Sequence, residues 1–284
     1  MRRGAIAVLM AALAGGAMAT DVDGLWNFND PAASEARFRA ALADARGDEA
    51  LVLRTQIART LSLRGRFDEA QRELDAIEPA LARAGAEPRV RSALERGRTL
   101  RSSGKPAEAK PLFERAFAAA DAAGLERLAA DALHMVALVE PVLDDRIAWS
   151  RKTIAYAERA KDPRARGWRA AALNNIGSDL REAGRLPDSL TAFRDALTAY
   201  EQIGRADNVR IARWQVANVL RLMGQADEAL AMQLALERDA AAAGAGAPDP
   251  YVFDELALLQ RSAGREDLAQ AAQAEAARLR QPTR

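Results

Sequence analysis

The sequence contains no cysteine, a single histidine and few aromatic residues. Without cysteine, the chain forms neither disulfides nor thiolate zinc sites, and it has no thiol nucleophile and no lipidated cysteine anchor. One histidine argues against multi-histidine metal sites and against a histidine-based catalytic pair. The 41 basic and 40 acidic residues nearly cancel, so general affinity for nucleic acid is not expected. These absences exclude several classes of enzyme and of metal protein.

Motifs for nucleotides and for calcium are also missing. No GxxxxGK[ST] phosphate loop is present, and Asp21-Val22-Asp23-Gly24 lacks the remaining ligand positions of a calcium loop. The lone histidine, His134, lies among apolar neighbours on a predicted helix and is expected to pack. We therefore predict no catalytic residue, no metal ligand and no cofactor. A hydrolase or accessory subunit with a carboxylate site stays open as an alternative.

The N-terminus has the three parts of a secretory signal peptide. It begins Met1-Arg2-Arg3, continues with an apolar run from Ala5 to Leu13 and ends in Ala17-Met18-Ala19. We expect residues 1–19 to be removed and residues 20–284 to act in the periplasm or outside the cell. The alternative is an alanine-rich first helix of a cytosolic protein. No second long apolar run follows, so no membrane span is expected after cleavage.

Glycine recurs with a period close to 40 residues. Apolar residues at spacings of three and four precede and follow each of these glycines, as in Leu173-x-x-Ile176 before one and Ser189-x-x-x-Phe193 after it. Such spacings predict amphipathic helices, and a glycine between two helices suits a tight turn. A repeated helix–turn–helix unit indicates a solenoid. The recurring glycines are Gly65, Gly104, Gly184, Gly224 and Gly264, with one interval twice as long as the others.

The stretch from Leu173 to Arg185 resembles the tetratricopeptide repeat. That pattern asks for small residues where the two helices cross. The first helices supply Ala58, Gly97, Gly177, Ala217 and Ala257, and the second helices supply Ala70, Ala109, Ser189, Ala229 and Ala269. The resemblance implies an all-α, right-handed superhelical solenoid of antiparallel helix pairs. It predicts one domain over residues 20–284, with about six repeats across 49–279 and a leading helix near 33–45. The long period is similar to that of motor light chains and of bacterial peptide-sensing regulators.

One local departure from the repeat is expected, in the third repeat. Pro141 stands in the turn of the third repeat and must break the helix there. The tryptophans also divide by position. Trp149 and Trp168 are expected to anchor the core, whereas Trp214 either packs or contacts a ligand. Trp26 and Phe28 precede the first helix and are expected to cover the open end of the array.

Polar side chains form columns along the first helices, which line the concave surface in proteins that resemble this one. Residues three apart share a helical face. Nine residues before each turn come Gln56, Glu95, His134, Asn175, Gln215 and Glu255. Six before come Arg59, Arg98, Ala137, Ser178, Asn218 and Leu258. Three before come Ser62, Arg101, Glu140, Arg181, Arg221 and Arg261. The resemblance implies that the asparagines bind a peptide backbone.

From these columns we predict partner contacts at Asn175, Gln215, Asn218, Arg181, Arg221, Gln56, Arg101 and Trp214. The arginines favour an acidic segment or a free C-terminus, although they also suit the negative end of the helix dipole. The predicted function is an exported, non-enzymatic scaffold that binds a protein or peptide. A cytosolic peptide-sensing regulator is the first alternative. Nucleic acid is not an expected partner.

Overall fold

The computed structural model describes residues 20–242 and 249–281. These residues form fourteen α-helices and no strand, so the predicted all-α helical repeat fold is confirmed. The proposed signal segment, residues 1–19, lies outside the described residues. The chain divides into two compact units, of which the first ends at Pro88 and the second begins at Arg89. A single domain over 20–284 stays a prediction.

The first unit is built around the leading helix and the first repeat. Its helices are α1 (Pro31–Leu42), α2 (Gly47–Leu63), α3 (Phe67–Leu81) and the first turn of α4 (Ala86–Ser102). Helix α2 packs against both α1 and α3. Phe38, Leu53, Ile57, Leu74 and Ile77 form the buried centre of this unit.

The second unit continues α4 and adds ten helices. They are α5 (Pro106–Ala122), α6 (Glu126–Val139), α7 (Leu143–Arg159), α8 (Pro163–Arg166), α9 (Trp168–Glu182), α10 (Leu186–Gln202), α11 (Ala206–Leu222), α12 (Ala226–Ala242), α13 (Pro250–Ser262) and α14 (Glu266–Leu279). The pairs α6–α7, α9–α10, α11–α12 and α13–α14 are the third to sixth repeats. In this unit, the first helices are therefore α4, α6, α9, α11 and α13. Each repeat buries its apolar stripe against its neighbours, as solenoids do.

The periodic glycines lie in the turns, as predicted. Gly184 has a φ of 73°, a left-handed conformation that side chains disfavour. Its N–H donates to the carbonyl of Arg181 at 3.0 Å, and the N–H of Arg185 donates to the carbonyl of Leu180 at 2.8 Å. These two bonds close the end of α9 and reverse the chain into α10. The other four periodic glycines also have positive φ angles, between 72° and 85°.

The small residues lie where the helices cross, which confirms that part of the sequence pattern. Gly177 of α9 faces Phe193 of α10, and a Cβ atom added at Gly177 would lie 2.7 Å from Cδ1 of that ring. The Ser189 hydroxyl donates to the Gly177 carbonyl at 2.7 Å. Ala217 and Ala229 are completely buried at the equivalent places in the next repeat. The first and second helices therefore approach almost backbone to backbone.

The third repeat departs from the others at the predicted place. Helix α6 ends at Val139, and α7 begins at Leu143, with Pro141 in the connection. The Lys110 ammonium donates to Oε2 of Glu140 at 2.7 Å, and this hydrogen bond keeps the pKa of Glu140 below its ordinary value. Trp149 and Trp168 both pack against the core, as predicted.

Candidate functional site

The polar columns of α9, α11 and α13 are hydrogen-bonded to one another. The Arg181 guanidinium donates to Oε1 of Gln215 at 2.5 Å and to Oδ1 of Asn218 at 3.1 Å. The Asn218 amide donates to Oε1 of Glu255 at 2.9 Å. Arg221 donates to both oxygens of the same carboxylate, at 2.7 and 3.0 Å. We call these five residues the first-helix network, because they join three successive first helices.

In the first-helix network, Arg181 and Arg221 connect neighbouring repeats, a role that the sequence did not predict. The sequence suggests either a ligand contact or an interaction with the helix dipole, whereas in the structure Arg181 and Arg221 each reach the first helix of the following repeat. Asn218 and Glu255 are only 8% and 4% exposed, so the hydrogen bond between them is a buried link from α11 to α13. Gln215 is half-buried, and its Nε2 makes no hydrogen bond among the described residues. The N–H groups of the Gln215 amide can therefore donate to a ligand.

A second ionic cluster joins α4 to α6. The Arg98 guanidinium donates to Glu95 at 2.5 Å and to both oxygens of Asp131 at 2.5 and 2.6 Å. The side chains of Glu95, Asp131 and Arg98 are 3%, 12% and 13% exposed. Burial lowers the pKa of Arg98, but attraction to Asp131 and Glu95 outweighs burial, and the pKa lies above its ordinary value. Arg101, one turn further along α4, is exposed.

His134 lies between Asn175 and Trp168. The Asn175 amide is 3.5 Å from Nδ1 of the imidazole, and the Trp168 ring centroid is 4.8 Å from that of His134. Burial lowers the pKa of His134 to about 4, although nearby Asp131 acts in the opposite direction. The imidazole is therefore neutral at physiological pH, and it packs within the helix array as the sequence predicted.

This depressed pKa predicts a pH-dependent loss of stability. The unfolded chain binds a proton at His134 near the ordinary pKa of 6.5, whereas the folded chain binds it only near 4. Between these values folding excludes a proton, so the free energy of unfolding falls as the pH falls. The contribution of His134 between pH 7 and pH 5 should be about 2 kcal/mol. Denaturant unfolding of the parent and of His134→Gln at both pH values measures it, and parallel pH profiles would contradict it.

An apolar cleft of about 700 Å³ opens among α11, α12, α13 and the end of α14. Trp214, Ile211 and Tyr251 line it, and Gln215 of the first-helix network lies at its edge. The Trp214 indole donates to the Tyr251 carbonyl at 3.0 Å, which fixes the ring. Ile211 and Tyr251 are 50% and 60% exposed. The apolar cleft therefore presents large apolar side chains to solvent beside a fixed indole.

A smaller polar cavity of about 250 Å³ lies between α6, α7 and α9. Asn175 and Ser178, from two of the predicted columns, line it together with Asp179. Sequence reasoning did not select Asp179, because this residue lies outside the three columns. Its proximity to α7 depends on the packing of three helices.

In the first unit, the column on α2 is covered by the segment that precedes α1. The Trp26 indole donates to Oε1 of Gln56 at 3.1 Å, and Nε2 of Gln56 donates to Thr55. Trp26 and Phe28 stack at 4.6 Å, and the Arg59 guanidinium lies 5.6 Å from each ring. Gln56 is only 3% exposed, so both ends of its amide are occupied within the protein.

Over residues 20–242 and 249–281, no three histidine, aspartate or glutamate side chains are grouped so that they could hold a metal ion. Among the helices described, none combines the length and the apolar character needed to cross a membrane.

Comparison with known proteins identifies the repeat. Residues 168–235, which span α9 to most of α12, match the tetratricopeptide repeat family. Among solved structures, a signal transduction ATPase with numerous domains and a tetratricopeptide repeat sensor, from Pyrococcus horikoshii, superposes with a TM-score of 0.67 at 9% identity. The match covers 89% of this chain but only 38% of that one. No curated protein sequence matches the chain significantly.

Two further structures have the same fold. Aspartyl phosphate phosphatase F from Bacillus subtilis has a TM-score of 0.57 at 14% identity, and the match covers 92% of this chain and 79% of that one. A tetratricopeptide repeat protein from Parabacteroides merdae has a TM-score of 0.51 at 14% identity, with 92% and 93% covered. The chain thus has the helical-repeat fold of these tetratricopeptide-repeat structures, as the residue pattern predicted.

Proposed function

We propose that the protein is a non-enzymatic scaffold that binds an extended segment of a partner protein or peptide. The segment lies along α9, α11 and α13 and places an apolar side chain in the apolar cleft. The observation that carries this proposal is the cleft itself, where Trp214 and Tyr251 stand beside the Gln215 amide. Its volume lies within the range of about 300–1,000 Å³ that is typical of ligand sites.

The composition of the cleft suits a side-chain anchor. Tryptophan and tyrosine dominate binding energy at protein interfaces, because their large rigid surfaces lose little conformational entropy on binding. The hydrogen bond from Trp214 to the Tyr251 carbonyl already holds the indole in place. The first-helix network likewise fixes Gln215 through Arg181. A partner therefore meets a surface that is ordered before it arrives.

The electrostatics support an acidic segment at one point. The charge of Arg221 is offset by Glu255, with which it forms two hydrogen bonds. Arg181 instead donates to two neutral amides and lies 5.7 Å from the Phe193 ring centroid. Its guanidinium is half-buried and is not neutralised within the network. A partner carboxylate would therefore be attracted to Arg181 rather than to Arg221.

The binding proposal is tested by selecting ligands from a displayed library of random peptides with residues 20–284 as bait. We expect Gln215→Ala and Trp214→Leu to weaken the selected peptides about 5- to 100-fold, which corresponds to about 1–3 kcal/mol. Thr191→Ala on the exposed side of α10 is the matched control and should bind normally. If the selected peptides bind all three variants as the parent does, the proposed surface is not the binding site.

We also propose that the protein is exported, on the basis of the signal-like sequence of residues 1–19. The runner-up function, a cytosolic peptide-sensing regulator, would use the same surface in another compartment. Mass spectrometry of the native protein distinguishes the two, because an exported chain should begin at or near Thr20. Recovery of the protein from the cytosol with Met1 in place would favour the regulator.

A further inference from the structure

The polar cavity between α6, α7 and α9 is lined by two buried oxygen atoms to which the described residues offer no hydrogen-bond partner. One is the hydroxyl of Ser150 on α7, a residue only 1% exposed, and the other is Oδ2 of Asp179 on α9. Buried polar groups in folded proteins are nearly always paired, since an unpaired group costs about 1–3 kcal/mol. Two such oxygens at one cavity therefore call for an explanation.

Asp179 has one oxygen paired and the other free. Its Oδ1 lies 2.7 Å from Nε of Arg146, whereas Oδ2 has no partner among the described residues. Burial raises the pKa of Asp179, and Arg146 only partly opposes this. A carboxylate whose charge is destabilised by burial gains most from a cationic donor.

The surrounding charges favour a cation over a neutral amide. Glu182 lines the same cavity one turn beyond Asp179 on α9, so the lining contains two carboxylates and the single guanidinium of Arg146. The unpaired hydroxyl of Ser150 can accept a further N–H. Ser178 and Asn175 line the same wall, and their side chains can bond to the amide groups that flank such a cation. The result is a small site with net negative charge and several acceptors.

We propose that this cavity binds a primary ammonium group of the partner, either its amino terminus or a lysine side chain. The inference rests on the proposed function, and it names one anchor of the bound segment. Three hydrogen atoms on an ammonium group match the three acceptors supplied by Asp179, Ser150 and Glu182. The site is separate from the apolar cleft, which lies among α11 to α14.

The experiment uses a random octapeptide pool prepared in three forms. The first has free amino termini and no lysine, the second has acetylated termini and no lysine, and the third has acetylated termini with lysine. Each pool is passed over immobilised residues 20–284, and retained peptides are quantified by mass spectrometry. We expect at least one amine-containing form to be retained about 10-fold better than the form with no amine. Which form is retained tells an amino terminus from a lysine.

Two variants and one control connect this preference to the cavity. Asp179→Asn keeps the shape of the side chain and should abolish the preference, and Ser150→Ala should reduce it several-fold. Asp188→Asn, an exposed aspartate on α10, should preserve it. Unfolding curves verify that each protein is folded.

The possible results separate the two proposals. Equal retention of all three pools, or an unchanged preference in folded Asp179→Asn, overturns the ammonium site and leaves the binding scaffold standing. Retention of no pool overturns both proposals. A preference that Asp188→Asn removes as fully as Asp179→Asn does would also overturn the site, because the effect would then follow overall charge.

Discussion

Replacing Arg98 with methionine should lower the free energy of unfolding by about 3–5 kcal/mol. The guanidinium joins α4 to α6 through bonds to Glu95 and Asp131, and all three side chains are mostly buried. Methionine keeps much of the side-chain volume but removes the guanidinium that pairs with both buried carboxylates. Denaturant unfolding at neutral pH measures this loss.

The matched control for this prediction is Arg194→Met. Arg194 forms an ion pair with Glu228 at 3.3 Å, but both side chains are more than half exposed. Exposed pairs contribute about 0–1 kcal/mol, so the control should unfold almost as the parent does. Similar losses in the two variants would show that burial of the Arg98 cluster has no special effect on stability.

Gly177→Leu should lower the free energy of unfolding by about 3 kcal/mol. Even a single Cβ atom at this position would lie 2.7 Å from the Phe193 ring. That ring is completely buried in the core, so it can move only by displacing its neighbours. The helices α9 and α10 must therefore separate, and the Ser189 bond to the Gly177 carbonyl must lengthen or break. Thermal and denaturant unfolding both report the change.

Ala118→Leu on α5 provides the comparison, because Ala118 is exposed on a helix surface. This variant adds a similar side chain without overpacking, and its stability should change by no more than about 0.5 kcal/mol. In Gly177→Leu the transition should also broaden, because repeats contact only their neighbours and damage to one uncouples those on either side. Equal unfolding midpoints for the two variants would contradict the helix crossing described here.

The turns and crossings could be predicted from sequence because each imposes a local requirement. Gly184 must adopt a left-handed conformation, and Gly177 must admit a neighbouring ring, so both positions restrict the residue type. Repetition at a period near 40 then makes a weak local signal clear. The turn at Pro141 was predictable for the same reason, since proline cannot continue a helix.

The side-chain pairing between repeats was not predictable in this way. Arg221 and Glu255 lie 34 positions apart in the sequence, and their contact depends on how far one first helix is displaced from the next. The columns placed these residues on related faces but did not show that they would bond to each other. The apolar cleft has the same origin, since its walls come from four helices between Asp207 and Leu279. The sequence does contain a pattern that corresponds to these pairs. An arginine three residues before one turn is twice followed by a hydrogen-bond acceptor nine residues before the next turn, as in Arg181 with Gln215 and Arg221 with Glu255.

The bond from Arg221 to Glu255 also means that the repeats are not interchangeable parts. An arginine at that position needs a carboxylate in the unit that follows, and α13 supplies one. If the α9–α10 pair were placed after α12, the neutral residue Asn175 would take the place of Glu255. The positive charge of Arg221 would then lack a carboxylate in the following repeat. A second copy of the α13–α14 pair placed after α14 would instead bring the glutamate equivalent to Glu255 next to Arg261. The hydrogen bonds between neighbouring repeats thus depend on the order of the repeats, and only some rearrangements would preserve these bonds.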